Sequence, residues 1–196
     1  MAASRALGGA YRVDVEFDPP AKQSRLTVLF RGFMLIPHII IMAVLGFVAS
    51  IAIVLSWLAI VFTGKMPAGL AGFITGVLHW NTRVTAYQFL LTGVYPPFAM
   101  GPASYPARLS IDPQLDGRSR ITVLLRYFML IPHMIVLGAI GFAAFFVFPI
   151  AWLVALFTGM VPAGMHTFLA GFIRWQTRYT AYAYLLVDDY PPFSMS

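Results

Sequence analysis

Two arginines in largely apolar stretches are the side chains of this sequence best suited to bind a ligand. Each lies three residues after a tryptophan and four before a tyrosine, in the sets Trp80, Arg83, Tyr87 and Trp175, Arg178, Tyr182. Residues with this spacing share one helical face, so we expect each guanidinium to lie between two aromatic rings. The favoured interpretation is a structural or lipid-anchoring role, in which the long side chain reaches toward the cytoplasmic head groups. The alternative is a site for a partner, a ligand or a transported anion.

Two histidines form a second candidate pair. His38 and His133 each follow a proline and lie seven residues after an arginine, Arg31 or Arg126. Such a pair could bind a metal, ligate a haem or titrate near neutral pH. Neither histidine has a second histidine or a carboxylate at i+3 or i+4. We therefore predict polar caps at a helix entry, bonded to backbone that the proline frees, with no metal and no cofactor.

Acidic residues are few, and Asp188-Asp189 is the only acidic pair near a predicted helix end. The pair could bind a cation or an arginine of the strand region, but a solvated helix terminus is the favoured interpretation. The sequence contains no Gly-rich phosphate loop, no HExxH and no nucleophilic serine elbow. We therefore predict that the protein is not an enzyme.

The elements that carry these residues are too apolar for a soluble domain. Apolar residues make up 60% of the 196-residue chain and charged residues 10%, against about 25% charged in soluble domains. Segments 39–62 and 134–157 contain no charge, and about 20 such residues can cross a bilayer. The composition predicts an integral membrane protein.

The chain repeats itself at a spacing of 95 residues, from Thr27 and Thr122 to Phe98 and Phe193. Repeats of this kind indicate a duplicated structural unit. The predicted organisation is a flexible N-terminus (1–10), repeat 1 (11–98), a linker (99–104) and repeat 2 (105–193).

Each repeat predicts the same order of elements. A short alternating strand ends at a proline and precedes an interfacial entry helix, which bends at Pro37 or Pro132 into a crossing helix. A Gly-Pro turn leads to a return helix, 68–91 or 163–186. The predicted fold is an all-α membrane protein with four transmembrane helices in two tandem two-helix repeats and a small cytoplasmic β element.

The distribution of basic residues predicts the topology. Residues 1–31 and 93–126 contain nine lysines and arginines, and the two turns together contain one. The positive-inside rule then places both termini in the cytoplasm and the turns on the other side. The repeats would be parallel, with a pseudo-twofold axis along the membrane normal. The net charge of +6 indicates contact with anionic lipid head groups rather than nucleic acid.

Several motifs occur together in both halves. They are Arg-x-Phe-Met-Leu-Ile-Pro-His, Phe-Thr-Gly, Trp-x-Thr-Arg-x-Thr-Ala-Tyr and Tyr-Pro-Pro-Phe. In this combination the chain resembles a bacterial integral-membrane family catalogued as domain of unknown function 4389. The resemblance covers about residues 11–193 and implies a multi-pass protein of the bacterial inner membrane, without implying catalytic residues.

The predicted function is that of a non-enzymatic accessory or scaffold subunit, which packs against another membrane protein, associates with itself or organises lipid. The alternative is a small homo-oligomeric transporter or channel for an anionic solute or lipid, with Arg83 and Arg178 along its path. The position of these two arginines distinguishes the two, because transport requires them to face a polar lumen.

Overall fold

The computed structural model describes residues 11–196 as four helices and two strands. In chain order these are β1 (Val13–Phe17), α1 (Arg25–Thr63), α2 (Ala68–Gln88), β2 (Ala107–Ile111), α3 (Arg120–Thr158) and α4 (Ala163–Ala183). Residues 1–10, predicted to be flexible, lie outside the described residues.

Each of the two long helices contains both the predicted entry helix and the predicted crossing helix. α1 and α3 run for 39 residues without interruption through Pro37 and Pro132. The predicted entry segment and crossing segment are therefore continuous in each helix, since a helix in an apolar setting can tolerate the one donor that a proline removes. Each helix ends at a glycine in the left-handed conformation, Gly64 or Gly159, as the turn motif indicated.

The two strands pair as the alternating patterns predicted. β1 and β2 form an antiparallel sheet whose register is centred on Val15 opposite Leu109. Because these two residues are equivalent in the repeats, a pseudo-twofold axis passes through the centre of the sheet. The same axis relates α1 to α3 and α2 to α4.

The long helices α1 and α3 run antiparallel, with each end of one beside the opposite end of the other. The Trp152 indole near the end of α3 donates to the carbonyl of Val28 near the start of α1, at 3.0 Å. The turn after α3 accepts a bond from Gln23, and its counterpart, the carbonyl of Gly64, accepts one from Arg118. This packing does not fit the predicted crossing of α1 and α3 in the same direction, because each turn lies beside the entry of the other repeat.

The elements form three layers. α1 and α3 pack on each other and on α2 and α4, and the sheet packs on α2 and α4. The side of α1 away from these layers exposes large apolar side chains at helical spacing, among them Phe33, Ile40, Val44, Phe47, Ile51, Leu58 and Phe62. α3 exposes an equivalent row. The molecule thus has one apolar face, formed by α1 and α3, and a polar sheet at the opposite side.

Within the described residues, α1 and α3 are the two helices long and apolar enough to cross a membrane. A core helix of a soluble protein can also meet this criterion, but it is mostly buried, whereas only 17% and 11% of these apolar windows are buried. The predicted return helices are present as α2 and α4, which are more polar than α1 and α3 and pack in the middle layer.

Candidate functional site

His38 and His133, the candidate pair from the sequence, each lie buried in an aromatic cluster. The Trp80 indole donates to Nδ1 of His38 at 3.1 Å, and the His38 ring stacks on Phe98 at 4.0 Å between centroids. His133, Trp175 and Phe193 repeat this geometry at 3.0 and 3.9 Å. The bond partner is therefore an indole rather than the backbone that the proline was expected to free. Because α1 and α3 are antiparallel, the two histidines lie in opposite halves of the helix pair.

The cation–π contact involves a different arginine from the one predicted. The guanidinium of Arg31 lies 4.1 Å from the centroid of the Tyr87 ring, and that of Arg126 lies 4.2 Å from the Tyr182 centroid. Among residues 11–196, Arg83 and Arg178 do not make the expected cation–π contact. A shared helical face determines which residues are neighbours, but the side chain that covers Tyr87 comes from α1.

Arg31 is buried and is bonded only to neutral groups in the described part of the chain. Its guanidinium donates to the carbonyls of Tyr87 and Thr92 and to Oε1 of Gln23, the last at 2.6 Å. Its Nε is buried without a partner among residues 11–196. The positive charge of Arg31 therefore has no carboxylate partner in these residues.

Arg126 has a carboxylate partner that Arg31 lacks. Asp188 accepts hydrogen bonds from Arg118, at 2.7 Å, and from Arg126, and also from the backbone N–H of Ser119. Burial alone would raise the pKa of the Asp188 carboxyl, but these hydrogen bonds and charges hold it below its usual range. Asp188 is thus a buried ionic partner rather than the predicted solvated helix terminus.

Its neighbour Asp189 forms an exposed ion pair with Arg12, at 3.0 Å. The carboxylate pair therefore meets an arginine beside β1, which was the alternative considered for it.

Arg83 and Arg178 lie on the side of α2 and α4 that faces the sheet and the chain ends. Arg83 donates to the carbonyls of Ala99 and Gly101. Arg178 donates to the backbone of Val13 and Ser196 and to the carboxylate of Asp14, at 2.9 Å. The structure separates each of them from the aromatic cluster with which it shares a helix.

Two neighbouring cavities lie along α3. One part, of about 660 Å³, is bounded by α2, α3 and α4, and a second part, of about 460 Å³, lies between α1 and α3. Both parts contact Gln88, Phe148 and Pro149, and we call them together the α3 groove. Pockets of 300–1,000 Å³ are typical of small-ligand sites.

The walls of the α3 groove suit an amphiphile. The larger part combines apolar side chains with uncharged amides and hydroxyls, including Asn81, Thr85, Gln176, Thr180, Phe145 and Phe172. The smaller part contains Arg31, the one charged lining residue of the groove as described. Ile39 and Phe145 line the groove and are 57% and 70% exposed on the apolar face, so the groove is continuous with that face.

The equivalent groove along α1 is much smaller. Its two parts measure about 450 and 150 Å³. Tyr127 lines both of these parts, whereas the counterpart at the α3 groove is Gly32. Arg126 lines the smaller part, but its charge is paired with Asp188. The duplicated chain therefore has a larger groove with an unpaired cation and a smaller groove with a paired cation.

Comparison with known proteins concerns both repeats. A family model described as a domain of unknown function, DUF4389, matches residues 25–100 and 120–195, which is more than half of the chain. The chain belongs to the DUF4389 family. No curated protein and no solved structure matches it. The match confirms two tandem DUF4389 repeats, as the sequence resemblance implied.

Sequence reasoning missed two parts of the DUF4389 site. It did not connect the phenylalanine of each Tyr-Pro-Pro-Phe motif with the histidine it covers, although all members of the cluster recur at the repeat spacing. It also did not single out Gly32, whose only signal is that the other repeat has Tyr127 at the same place. Differences between the repeats carried as much information about the groove as the identities.

Proposed function

We propose that this DUF4389 protein is a non-enzymatic membrane protein that binds and organises anionic phospholipid. The observation that carries the proposal is the α3 groove, which opens on an uncharged apolar face and contains Arg31 without a carboxylate partner among the described residues. An acyl chain would lie along the apolar wall, and the head group would lie near the guanidinium.

The proposal places α1 and α3 within one leaflet, parallel to the membrane plane. A 39-residue helix is about 58 Å long at 1.5 Å per residue, nearly twice the roughly 30 Å hydrocarbon core. If α1 and α3 crossed the bilayer, the pseudo-twofold axis would bring the sheet to its midplane. The exposed charges of Glu16 and Arg108 would then lie at the depth where charge is most costly.

In this orientation the pseudo-twofold axis follows the membrane normal, and the sheet and both ends of the described chain lie on one side. We assign that side to the cytoplasm of a bacterial inner membrane, where basic residues are enriched. The four-crossing arrangement is thereby replaced by two embedded helices.

The ends of the helix pair also suit an anionic surface. Lys22 and Arg25 are exposed near one end, and Lys65 and Arg120 near the other. Basic side chains beside an apolar face strengthen binding to anionic lipids, by about 1 kcal/mol each near the surface.

The test extracts the tagged protein from its native membrane in a mild detergent and quantifies retained phospholipids by mass spectrometry. Wild type is expected to retain an anionic phospholipid. Gly32→Tyr fills the groove with the side chain of the other repeat, and we expect the lipid to be lost. The matched control Tyr127→Gly alters the second groove and should leave the retained lipid in place.

Equal retention by wild type and Gly32→Tyr would contradict the proposal. The same preparation reports co-purifying membrane proteins. A stoichiometric membrane protein together with the retained lipid would extend the lipid-organising role to that of a scaffold subunit.

A further inference from the structure

A separate cavity lies on the other side of the molecule, between α2 and β2. Its volume is about 190 Å³, and His79, Arg83 and Arg108 are among its lining residues. The remaining lining residues are small or apolar: Pro102, Ala103, Ala107 and Leu109. The cavity is therefore lined by three basic side chains and by no carboxylate.

The same place in the second repeat contains its own anion. Arg174 and Arg178 are the counterparts of His79 and Arg83 at the repeat spacing. Both lie at the carboxylate of Asp14, at 3.8 and 2.9 Å. The pseudo-twofold axis maps Asp14 of β1 onto Arg108 of β2. Each strand adjoins the return helix of the other repeat, so the site around Arg83 has a cation where the site around Arg178 has a carboxylate.

Arg83 is buried and lacks an anionic partner within the described residues. Its two terminal nitrogens donate to backbone carbonyls, and its Nε is buried without a hydrogen-bond partner in residues 11–196. A buried guanidinium gains most from a bonded anion. Arg178 has that anion in Asp14, whereas Arg83 has an adjoining cavity instead.

Arg108 is only partly engaged. Its guanidinium pairs with Asp18 at 2.8 Å and with Glu16 at 3.6 Å, and donates to the carbonyl of Tyr105 at 3.4 Å. None of these three partners lines the cavity. A guanidinium has five N–H donors, so Arg108 can retain these pairs and still donate into the cavity.

We propose that the cavity formed by His79, Arg83 and Arg108 binds a phosphate group, which takes the place of the carboxylate that Asp14 supplies to Arg178. Arginine suits phosphate because its planar fork matches two phosphate oxygens. The cavity lies beside the sheet, away from the apolar face. A soluble phosphorylated molecule or a lipid head group could present the group there.

The test measures binding of inorganic phosphate to the full chain in a neutral detergent by calorimetry at constant ionic strength. Wild type is expected to bind one phosphate. Arg108→Asp reproduces the second repeat and supplies a carboxylate to Arg83, so the Kd for phosphate should rise at least about tenfold. Arg108 is exposed, and circular dichroism checks that the variant remains folded.

Asp14→Asn is the matched variant at the site around Arg178. It removes the carboxylate from Arg174 and Arg178, and a second phosphate should then bind. Absence of phosphate binding to wild type, or unchanged affinity in Arg108→Asp, would overturn the proposal.

Nanodiscs distinguish the source of the phosphate group. Phosphate affinity that is the same in phosphatidylcholine discs and in discs containing phosphatidylglycerol supports a soluble ligand. Affinity that falls in the presence of phosphatidylglycerol supports a lipid head group at the same cavity.

Discussion

At the scale of single residues, the two repeats hold the same buried arginine with different partners. Arg31 is bonded to the amide of Gln23, whereas Arg126 shares Asp188 with Arg118. Gly93 occupies the place of Asp188 in the first repeat, and a Cβ there would lie 3.1 Å from Cγ of Gln23. A side chain at this position would therefore crowd Gln23, and both positions differ between the repeats: Gln23 and Gly93 in one, Arg118 and Asp188 in the other.

The carboxylate of Asp188 is expected to contribute strongly to stability. In Asp188→Asn, Arg118 and Arg126 lose their common anion while remaining buried, which should lower the free energy of unfolding by about 3 kcal/mol. The pKa of this carboxyl is lowered in the folded protein. Its contribution is therefore complete above the ordinary aspartate pKa of about 4, and it is lost as the pH falls through the lower folded value.

Chemical unfolding in detergent at several pH values measures this effect. The difference between wild type and Asp188→Asn should be constant from pH 7 to pH 5 and should shrink below pH 4. Asp116→Asn is the control, because this carboxylate is exposed and its ion pair contributes little. A difference that grew below pH 4 would contradict the assignment.

The indoles of Trp80 and Trp175 are expected to contribute equally to the free energy of unfolding. Trp80→Phe and Trp175→Phe each leave Nδ1 of a buried histidine without its donor, at a cost of about 1–3 kcal/mol. Thermal unfolding in micelles should give similar decreases for the two variants. Phe62→Leu on the exposed apolar face is the control, and a large effect in only one cluster would show that the clusters are not equivalent.

At the scale of elements, the ends of the long helices depend on glycine. Gly64 and Gly159 have φ of 72° and 77°, and a side chain in this conformation costs about 1–2 kcal/mol. A Cβ at Gly159 would also lie 3.2 Å from the carbonyl oxygen of Gln23, whereas at Gly64 the nearest atom is Nε of the Arg120 side chain, at 3.6 Å.

Gly159→Ala should therefore destabilise the protein more than Gly64→Ala. Urea unfolding of the two variants in the same detergent measures the difference. The control is Gly138→Ala within α3, where an added Cβ meets nothing within 4 Å and alanine is the better helix former. Equal losses for the two cap variants would mean that the contact with Gln23 is relaxed without cost.

Local elements were predictable from the sequence because their causes are local. Alternation identified β1 and β2, glycine identified the ends of α1 and α3, and the repeat spacing gave the duplication. The antiparallel docking of α1 on α3 was not predictable from counts of basic residues, since the positive-inside rule presupposes that each helix crosses. Arg31 was not predicted as the partner of Tyr87, because it lies on another helix and the contact depends on how the two helices pack.

At the scale of the whole molecule, the layers leave the large apolar side chains of α1 and α3 exposed on one face of the described residues. The sheet side contains the exposed ion pairs, and the helix side contains none of them between the helix ends. One side suited to lipid and one suited to water favour insertion into a single leaflet. The pseudo-twofold symmetry therefore predicts that α1 and α3 lie in one leaflet, with the axis along the membrane normal.

Single-cysteine labelling tests this orientation, because the protein contains no cysteine. Glu16→Cys reports the sheet, and Lys65→Cys and Met160→Cys report the turns after α1 and α3, all at exposed positions. With α1 and α3 in one leaflet, an impermeant maleimide should label all three from the same side of sealed vesicles. If α1 and α3 instead crossed the bilayer in opposite directions, the two turns would label from opposite sides. Four crossings in parallel repeats predict that both turns label from the side opposite Glu16→Cys, and either pattern would reject the one-leaflet arrangement.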